Sequence, residues 1–517
     1  MHQFSRLIKR TTRAVPPRAH WCSWMAGVAI AMLPLAVAPA LVAAQTLPTL
    51  GDTERESLSP LMERKIGEQI MRDIRRDPDY LDDGPLLEYL NNFGANLVSV
   101  RPDVRGEASY DFFFFAVRDP VLNAFALPGG FIAVHSGLLL AAQSESELAS
   151  VLAHEIGHVA QRHIARMLGQ QKQNSMIQLA SIVLAAVAGV ARAGGDAVLA
   201  TVMGGSGVAI QRQLNFSRDA EREADRVGLQ ILIAGGYDTS GMVTFFGRLQ
   251  SASRNFSDTL PPYLLTHPLT TERIADIQDR IRDQRYRQRA DNPDFQLIRA
   301  RVRILQNSSS QGVRDAQAYF ETQLRQNTKL QIMAAKYGLA YAAYQQQSYD
   351  KAEKLLQEAR TAAQPVQPSI LFANLDIDIK IAKRQTEQAL KLADLTREQF
   401  PLSRVAARQY ANALIENRRY DQAVAYLRDQ AQLYRQEREI QDLLAKAYAS
   451  QGKQALQHMA LAEAYVLGGS LPAALEQLGI ARKATDATFY DQAMIDARER
   501  DLKERWKEEL ADRKASS

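Results

Sequence analysis

The most informative segment of the 517-residue sequence reads His154-Glu155-Ile156-Gly157-His158. Hydrophobic residues recur every three or four positions from Leu148 to Val159, which predicts a helix that packs against a core. On such a helix the two histidines project from one face, one turn apart, so their imidazoles can hold a single zinc ion. The glutamate between them then lies beside the metal, where Glu155 can act as a general base. The apolar neighbours disfavour the alternative, a surface helix that carries two histidines by chance.

A catalytic zinc ion takes three protein ligands, so the third must come from elsewhere in the chain. The acidic run at 217–225 offers Glu221 and Asp225, four residues apart on a predicted helix. With this spacing, one carboxylate can bind the metal while the other orients a ligand histidine. Acidic runs are also typical of a solvated helix face, so the spacing alone leaves the role of Glu221 open.

Three other polar residues near these motifs are not assigned to the metal. Glu223 projects about 200° away from Glu221 around the same helix. His163 follows His154 by nine residues, which places it about 180° away on the catalytic helix. His135, which precedes that helix, is left out as well.

The rest of the first 290 residues predicts helices around a small sheet. Ser59 and Pro60 form a helix start that leads into an amphipathic pattern through about Arg75. Residues 108–117 and 130–134 are rich in aromatic and branched residues and are separated by turn residues, which predicts strands. We therefore expect a mainly α fold with a small β-sheet, in a domain that extends over residues 45–290.

An apolar segment at 176–210 is the least soluble-looking part of the chain after its N-terminus. Its first half is about 16 residues long, shorter than the roughly 20 that a membrane-spanning helix needs, and its second half is interrupted by glycines. The pattern fits a helical hairpin packed on the domain, and it also fits a peripheral contact with a membrane or a partner.

Residues 1–44 predict a secretory signal peptide. A basic stretch leads into an apolar run and then into Val42-Ala43-Ala44, whose small residues are typical of a cleavage site. The apolar run is shorter than a bilayer requires, which favours cleavage over an uncleaved anchor. Five of the 63 Lys and Arg residues lie here and none of the 58 acids do, so the remaining chain carries 58 of each. A neutral mature chain gives no reason to expect a nucleic-acid partner.

The sequence after residue 290 repeats itself. Tyr349-Asp350-Lys351-Ala352 recurs as Tyr420-Asp421-Gln422-Ala423, and the alanines at 352, 389 and 423 are 37 and 34 residues apart. This spacing is close to the 34-residue tetratricopeptide period, whose helix pairs stack into an α-solenoid. We expect about four such repeats within 291–490, followed by a charged tail helix at 491–517. An unrelated helical domain is the alternative.

Taken together, the motifs resemble those of the HtpX-like and CAAX-prenyl-protease group of zinc metallopeptidases over about residues 55–280. The resemblance implies a zincin-type metalloprotease domain that holds one Zn²⁺ per chain. The residues that it implies are the catalytic base Glu155, the zinc ligands His154, His158 and Glu221, and the supporting carboxylate Asp225.

A further histidine follows from the same resemblance. Thr266-His267-Pro268-Leu269 is similar to a segment of the family in which the histidine sits at the metal as an additional zinc ligand. A fourth protein ligand would displace the reactive water, because closed zinc sites are structural and open ones catalytic. We therefore expect His267 to act as a switch that moves away for turnover; a capping or loop histidine is the alternative.

The strand before the catalytic helix is the last element that the resemblance assigns. Phe131, Ile132, Ala133 and Val134 resemble the family's edge strand, to which an extended peptide substrate adds by main-chain pairing. The residues themselves are equally typical of an inner strand.

A periplasmic branch of this family combines a secretory signal, the catalytic domain and C-terminal tetratricopeptide repeats, and the chain resembles it over nearly all of its mature part. That resemblance implies a periplasmic zinc endopeptidase with chaperone activity, which degrades misfolded or stalled barrel proteins during outer-membrane protein assembly and quality control. The implied partners are unfolded or misassembled outer-membrane proteins and, through the repeats, the outer-membrane assembly machinery. Two alternatives stay open: an assembly scaffold with a largely latent protease, and an integral membrane peptidase that inserts 176–210 as a hairpin.

Overall fold

The computed structural model describes residues 58–106, 109–169, 218–255, 262–282, 284, 289–325, 328–362 and 368–516. The chain divides into two compact units, Met1–Thr49 and Leu50–Ser517, and every described residue belongs to the second. The predicted signal peptide and the apolar segment at 176–210 lie outside the described residues. Among the helices that are described, none has the length and apolar character needed to cross a membrane.

The N-terminal part of the described chain is mainly helical with one small sheet, as predicted. Ser59 caps the first helix by accepting a hydrogen bond from the Met62 amide, and Ser144 caps the helix that carries His154 and His158 by accepting from the Glu147 amide. The elements are α1 (Pro60–Ile74), α2 (Gly84–Ser99), a 3₁₀ turn (Pro102–Arg105), β1 (Phe113–Val117), β2 (Ala124–Leu127), β3 (Phe131–His135), α3 (Ser136–Ala141), α4 (Glu145–Ala160), α5 (His163–Gly169), α6 (Arg218–Ala234), α7 (Ser240–Asn255), α8 (Pro262–Thr266) and α9 (Thr271–Ile281).

The sheet corrects one prediction. Its strand order is β1-β3-β2, with β3 parallel to β1 and antiparallel to β2. The prediction that Phe131, Ile132, Ala133 and Val134 form an edge strand is therefore wrong, because β3 is paired on both sides. All five residues of β3 are buried, and a continuous apolar run is what a strand covered on both faces requires. The edge next to α4 belongs to β2, which contacts that helix.

The C-terminal part consists of helices alone within the described residues. They are α10 (Pro293–Gln306), α11 (Ser310–Gln323), α12 (Lys329–Gln345), α13 (Tyr349–Ala362), α14 (Ile370–Ala382), α15 (Thr386–Gln399), α16 (Arg404–Glu416), α17 (Tyr420–Leu433), α18 (Arg438–Ser450), α19 (Gln454–Leu467), α20 (Leu471–Lys483) and α21 (Phe489–Ser516).

Four helical hairpins, α12–α13, α14–α15, α16–α17 and α18–α19, carry the repeat. The turn inside each hairpin holds one residue with positive φ, at Gln347, Arg384, Arg418 and Gly452, spaced 37, 34 and 34 residues apart. The three alanines of the sequence repeat are completely buried where the helices meet, because only a small side chain lets them approach so closely. The predicted helical repeat is therefore confirmed, while its assignment to the tetratricopeptide class stays a prediction.

Helix α2 joins the two parts of the chain. Asp83 caps α2 by accepting from the Leu86 amide, and its carboxylate also binds the Arg301 guanidinium of α10 through contacts of 2.8–3.0 Å. Glu88 on the same helix accepts a hydrogen bond of 2.9 Å from the Val405 amide at the start of α16. The Asp83–Arg301 pair is nearly buried, and breaking such a pair by removing one partner costs about 3–5 kcal/mol. One buried apolar cluster also extends continuously from α2 and α4 through α10 to α14.

The same interface contains a second carboxylate, Asp378 of α14. The Gln409 side-chain amide donates a hydrogen bond of 3.1 Å to it. The pKa of Asp378 is raised from 3.8 to about 6, mainly because burial disfavours the charged form; the Arg301 guanidinium and Gln409 lower the pKa in part, and Asp83 adds a smaller increase. Because this pKa is higher in the folded than in the unfolded chain, stability falls as pH rises from about 4 to 6, and the full penalty is present above that range.

We predict that Asp378→Asn raises the free energy of unfolding by about 1–3 kcal/mol at pH 8, because it removes a partly buried charge whose pKa is raised, and changes it little at pH 4. Urea unfolding at both pH values measures the difference. Asp376→Asn on the same helix is the matched control: Asp376 pairs with Arg360 at 2.7 Å, so its loss is expected to destabilise. An Asp378→Asn variant that is destabilised at pH 8 would contradict the prediction.

Candidate metal centre

Two glycines let α4 and α6 cross at backbone contact. A Cβ on Gly157 would lie 2.8 Å from the Ala224 carbonyl oxygen and 3.0 Å from the Ala224 Cα. A Cβ on Gly228 would lie 3.1 Å from the Ala153 carbonyl carbon. Because no side chain separates the two backbones, the acidic residues of α6 come directly opposite the histidines of α4.

At this crossing the structure brings four predicted residues together. His154, His158, Glu221 and His267 are all buried, and one ligand atom from each lies within 4.8 Å of the others. The Nε2 atoms of His154 and His158 are 3.1 Å apart, and the Glu221 carboxylate lies 3.4 and 3.3 Å from them. Imidazole nitrogens and a carboxylate converging on one point form a donor set that fits a metal ion once the imidazoles release any proton held there.

His267 approaches the cluster from α8 and the loop that follows it. Its Nδ1 is 3.1 Å from Glu221 Oε1 and 3.4 Å from His154 Nε2. Its other ring nitrogen, Nε2, is 3.5 Å from Glu155 Oε1, and its ring stacks on Tyr263 with centroids 4.6 Å apart. The ring of His267 thus lies between the other donors and the carboxylate of Glu155.

A second layer of charge supports the donors. His154 Nδ1 lies 2.9 Å from Asp225 Oδ1, so its Nε2 is directed at the cluster. Arg273 binds Asp225 through two contacts of 2.7 and 2.8 Å and also lies 2.7 Å from Glu221 Oε2. The same guanidinium donates to the Pro268 carbonyl at 2.8 Å, next to His267. Arg273 therefore connects both carboxylates of α6 with the loop that carries His267.

Burial and charge shift the pKa values of these groups in opposite directions. Burial raises the pKa of Glu155, which His267 and His154 only partly offset. Burial would also raise the pKa of Glu221, but the histidines around it hold that pKa well below its usual range. For His154, burial lowers the pKa, yet Asp225 and Glu221 outweigh it and raise the pKa to about 10. A cation that binds here must therefore displace a proton from His154, which makes metal binding and proton release coupled events.

The structure also connects two residues that the sequence analysis set aside. Helix α4 ends at Ala160, Arg162 has φ +52°, and α5 begins at His163, so the assumption that His163 continues the catalytic helix is wrong. The chain turns back and places His163 Nδ1 2.9 Å from His158 Nδ1, while His163 Nε2 lies 3.0 Å from Glu223. Burial lowers the pKa of His163 to about 4, so this ring is neutral near pH 7.

The sequence gives no signal for that break, since Gln161 and Arg162 are ordinary helix residues without a glycine or proline beside them. Glu223 does point away from the four donors, as predicted, but it reaches the ring of His163. Arg273 was also missed, because arginines near acidic runs are common. His135 stays outside the cluster and lies 3.4 Å from Asp119.

The buried donor set on a helical domain with a three-stranded sheet is that of a metallopeptidase, and the chain belongs to peptidase family M48. Residues 100–281 match the model of that family, which confirms the metallopeptidase resemblance.

Over 479 residues the chain is 33% identical to the beta-barrel assembly-enhancing protease of Escherichia coli O157:H7, an alignment that covers 91% of this chain and 95% of the relative. It is equally similar, 33% over 471 residues, to the protein of that name from Yersinia pestis, with coverage of 89% and 92%. A shorter match, 34% over 152 residues, is to the mitochondrial metalloendopeptidase OMA1 of Arabidopsis thaliana, and it covers 29% of this chain and 28% of the relative.

We predict that Gly157→Ala weakens both the fold and the metal centre. Alanine favours a helix by up to about 1 kcal/mol over glycine, but its Cβ forces α4 and α6 apart at the crossing, with an expected net loss of about 1–3 kcal/mol. Thermal unfolding and the metal content of the purified protein measure both effects. Gly247→Ala in α7 is the control, because a Cβ there meets nothing within 4 Å. If both variants have the same thermal stability and metal content, close contact between α4 and α6 is not required for either.

Proposed function

We propose that the chain is a zinc-dependent endopeptidase in which His154, His158 and Glu221 hold one Zn²⁺ and Glu155 is the catalytic base. The observation that carries this proposal is the convergence of four buried donor atoms within 4.8 Å next to the carboxylate of Glu155. Neither oxygen of that buried carboxylate has a hydrogen-bond partner with full geometry within the described residues. The Ala126 amide and His267 approach the carboxylate, but neither meets the full geometry of a hydrogen bond. A buried acid with so little support from the fold is expected where a group bound during the reaction supplies the stronger partner.

The reaction follows from the position of Glu155. Zinc, when bound, supplies a Lewis acid that polarises a water molecule and the scissile carbonyl. Glu155 takes the proton from the attacking water and returns it to the leaving amine. Because burial raises the pKa of Glu155, the protonated acid that forms halfway is stabilised, which suits a group that must both accept and donate a proton near neutral pH. Asp225 and Arg273 hold the donors in place and do not exchange protons with substrate.

The substrate strand that we propose is β2 instead of β3. Residues Ala124–Leu127 pair with β3 on one side and have no second strand partner in the described part of the chain. The backbone amide of Ala126 in β2 stabilises the charged form of Glu155 and lowers the pKa of that carboxyl. The free edge of β2 therefore lies beside the catalytic carboxylate. An extended peptide that adds to β2 by main-chain pairing brings a scissile bond past Glu155.

The names of the extensive relatives support a biological role. We propose that the chain acts in outer-membrane protein assembly, with misfolded or stalled barrel proteins as substrates and with assembly machinery bound by the repeats, whose stacked helices offer an extended surface. The proposal places the protein in the periplasm after removal of residues 1–44, with the peptidase domain at 45–290, the repeats at 291–490 and a tail helix at 491–517. It assigns a peripheral membrane contact to 176–210.

We predict that Glu155→Gln abolishes peptide cleavage, with a loss of about 10²–10⁴-fold or more, because the amide cannot accept the proton of water. The zinc content stays at one per chain, since the ligands are intact. Casein or misfolded-barrel cleavage together with elemental analysis measures both. If the native chain and the variant protect a misfolded barrel equally and neither cleaves it, the protein is a scaffold with a latent site.

The scaffold alternative is favoured by one observation, the ring of His267 between the zinc donors and Glu155. We propose that His267 closes the site as a fourth ligand and leaves it for turnover. We predict that His267→Ala raises the rate of peptide cleavage and weakens zinc binding. A chelator competition and a peptidase assay measure the two effects, and His458→Ala in the repeats, where His458 contacts Gln477 at 2.8 Å, is expected to change neither. Unchanged zinc occupancy and unchanged rate in His267→Ala would make His267 a loop residue.

A further inference from the structure

The two histidines of α4 are supported in different ways. His154 contacts a carboxylate directly, because Asp225 lies 2.9 Å from its Nδ1. His158 contacts another imidazole: His163 Nδ1 lies 2.9 Å from His158 Nδ1, and the ring centroids are 4.8 Å apart. The far nitrogen of His163 then meets a carboxylate, Glu223, at 3.0 Å.

This chain of contacts fixes which nitrogen of each ring carries the proton. Glu223 accepts only, so His163 must donate from Nε2 and is left with a lone pair on Nδ1. That lone pair accepts the proton on His158 Nδ1, which leaves the lone pair of His158 Nε2 directed at the other donors. A metal ligand needs this tautomer, and partners that set it are known to strengthen metal binding.

The backbone around His163 is held in place for this contact. Arg162 has φ +52°, a conformation that costs a residue with a side chain about 1 kcal/mol or more. Arg162 is fixed there by Glu63 of α1, which its Nε contacts at 2.8 Å, and by the Leu58 carbonyl. Glu63 is itself buried and accepts from the Tyr110 hydroxyl at 2.8 Å. The Glu63 carboxylate, the Leu58 carbonyl and the Tyr110 hydroxyl therefore stabilise this turn, and the turn places the imidazole of His163.

We infer that His163 and Glu223 are positioning residues of the metal centre, which orient His158 and set its tautomer through the relay Glu223–His163–His158. The inference rests on the proposed zinc-peptidase function and extends it to two residues that touch neither metal nor substrate. Arg166 completes the relay at the surface, where it lies 2.8 Å from the same oxygen of Glu223.

Two substitutions at His163 separate orientation from packing. His163→Asn places an amide oxygen near the position of Nδ1, so it still accepts from His158 but fills less space. His163→Phe keeps the size and the ring contact but accepts nothing. If the relay orients His158, zinc affinity measured by chelator competition falls by about 10- to 100-fold in the Phe variant and remains within about 3-fold of the native value in the Asn variant. If His163 only fills space, the order reverses, and that result overturns the inference.

Glu223 provides a second test that does not disturb the core, because its side chain is 39% exposed. Glu223→Gln is expected to weaken zinc binding several-fold and to shift the visible absorption bands of the cobalt-substituted protein, since the relay loses its charged end. Asp219→Asn is the matched control: it removes the same charge from the same helix, four residues away, at a side chain that is 89% exposed. Equal effects of the two variants would reduce the role of Glu223 to general electrostatics and overturn the relay.

The native protein distinguishes this inference from the proposed function. If native protein binds no stoichiometric zinc, the proposed function fails and the relay fails with it. If native protein binds one zinc ion and cleaves peptide while both Phe and Gln variants bind zinc as tightly as it does, the relay alone is refuted.

Discussion

Direct contact between the backbones of α4 and α6 is the constraint on which the metal centre depends. A methyl group at Gly157 would collide with the facing helix, and one at Gly228 would be unusually close to it. Because the two backbones are so close, the carboxylate of Glu221 on α6 can reach the imidazoles of His154 and His158 on α4. Once they meet there, burial makes their charges costly, and Asp225, Arg273 and the relay through His163 satisfy the outer faces of the donors. The inner faces are left for a cation.

The parts of the site that the sequence predicts are those whose geometry is local. The spacing of His154, Glu155 and His158, and that of Glu221 and Asp225, fixes a helix face within two turns. The period of the alanines likewise locates the repeats, even though Ile377 stands where a small residue is expected; it is completely buried in the helix packing. His267 was predicted only from the family resemblance, because it is 113 positions from His154 and no local spacing relates the two.

Prediction from the sequence is wrong where the structure depends on a contact between residues far apart in the chain, or where no residue type marks the end of an element. The strand order depends on which strands pair with β3. A short apolar segment has the same sequence pattern whether it forms an edge strand or a central strand. The break between α4 and α5 has no glycine to mark it, since Arg162 takes a positive φ that is held by Glu63, almost 100 residues earlier. Both errors concern positions where tertiary contacts override local preference.

The continuous apolar cluster between the N-terminal helices and the first repeats has a consequence for how this protein can be divided. Leu86, Phe295 and Leu375 belong to one cluster and are each completely buried, although the sequence suggests a boundary near residue 290. Truncation at that boundary would expose a large hydrophobic surface on each fragment. The N-terminal fragment would keep Asp83 without its partner Arg301, and the C-terminal fragment would keep Arg301 without Asp83. The peptidase and repeat halves are therefore expected to melt as one cooperative unit, because α2 packs against helices of both.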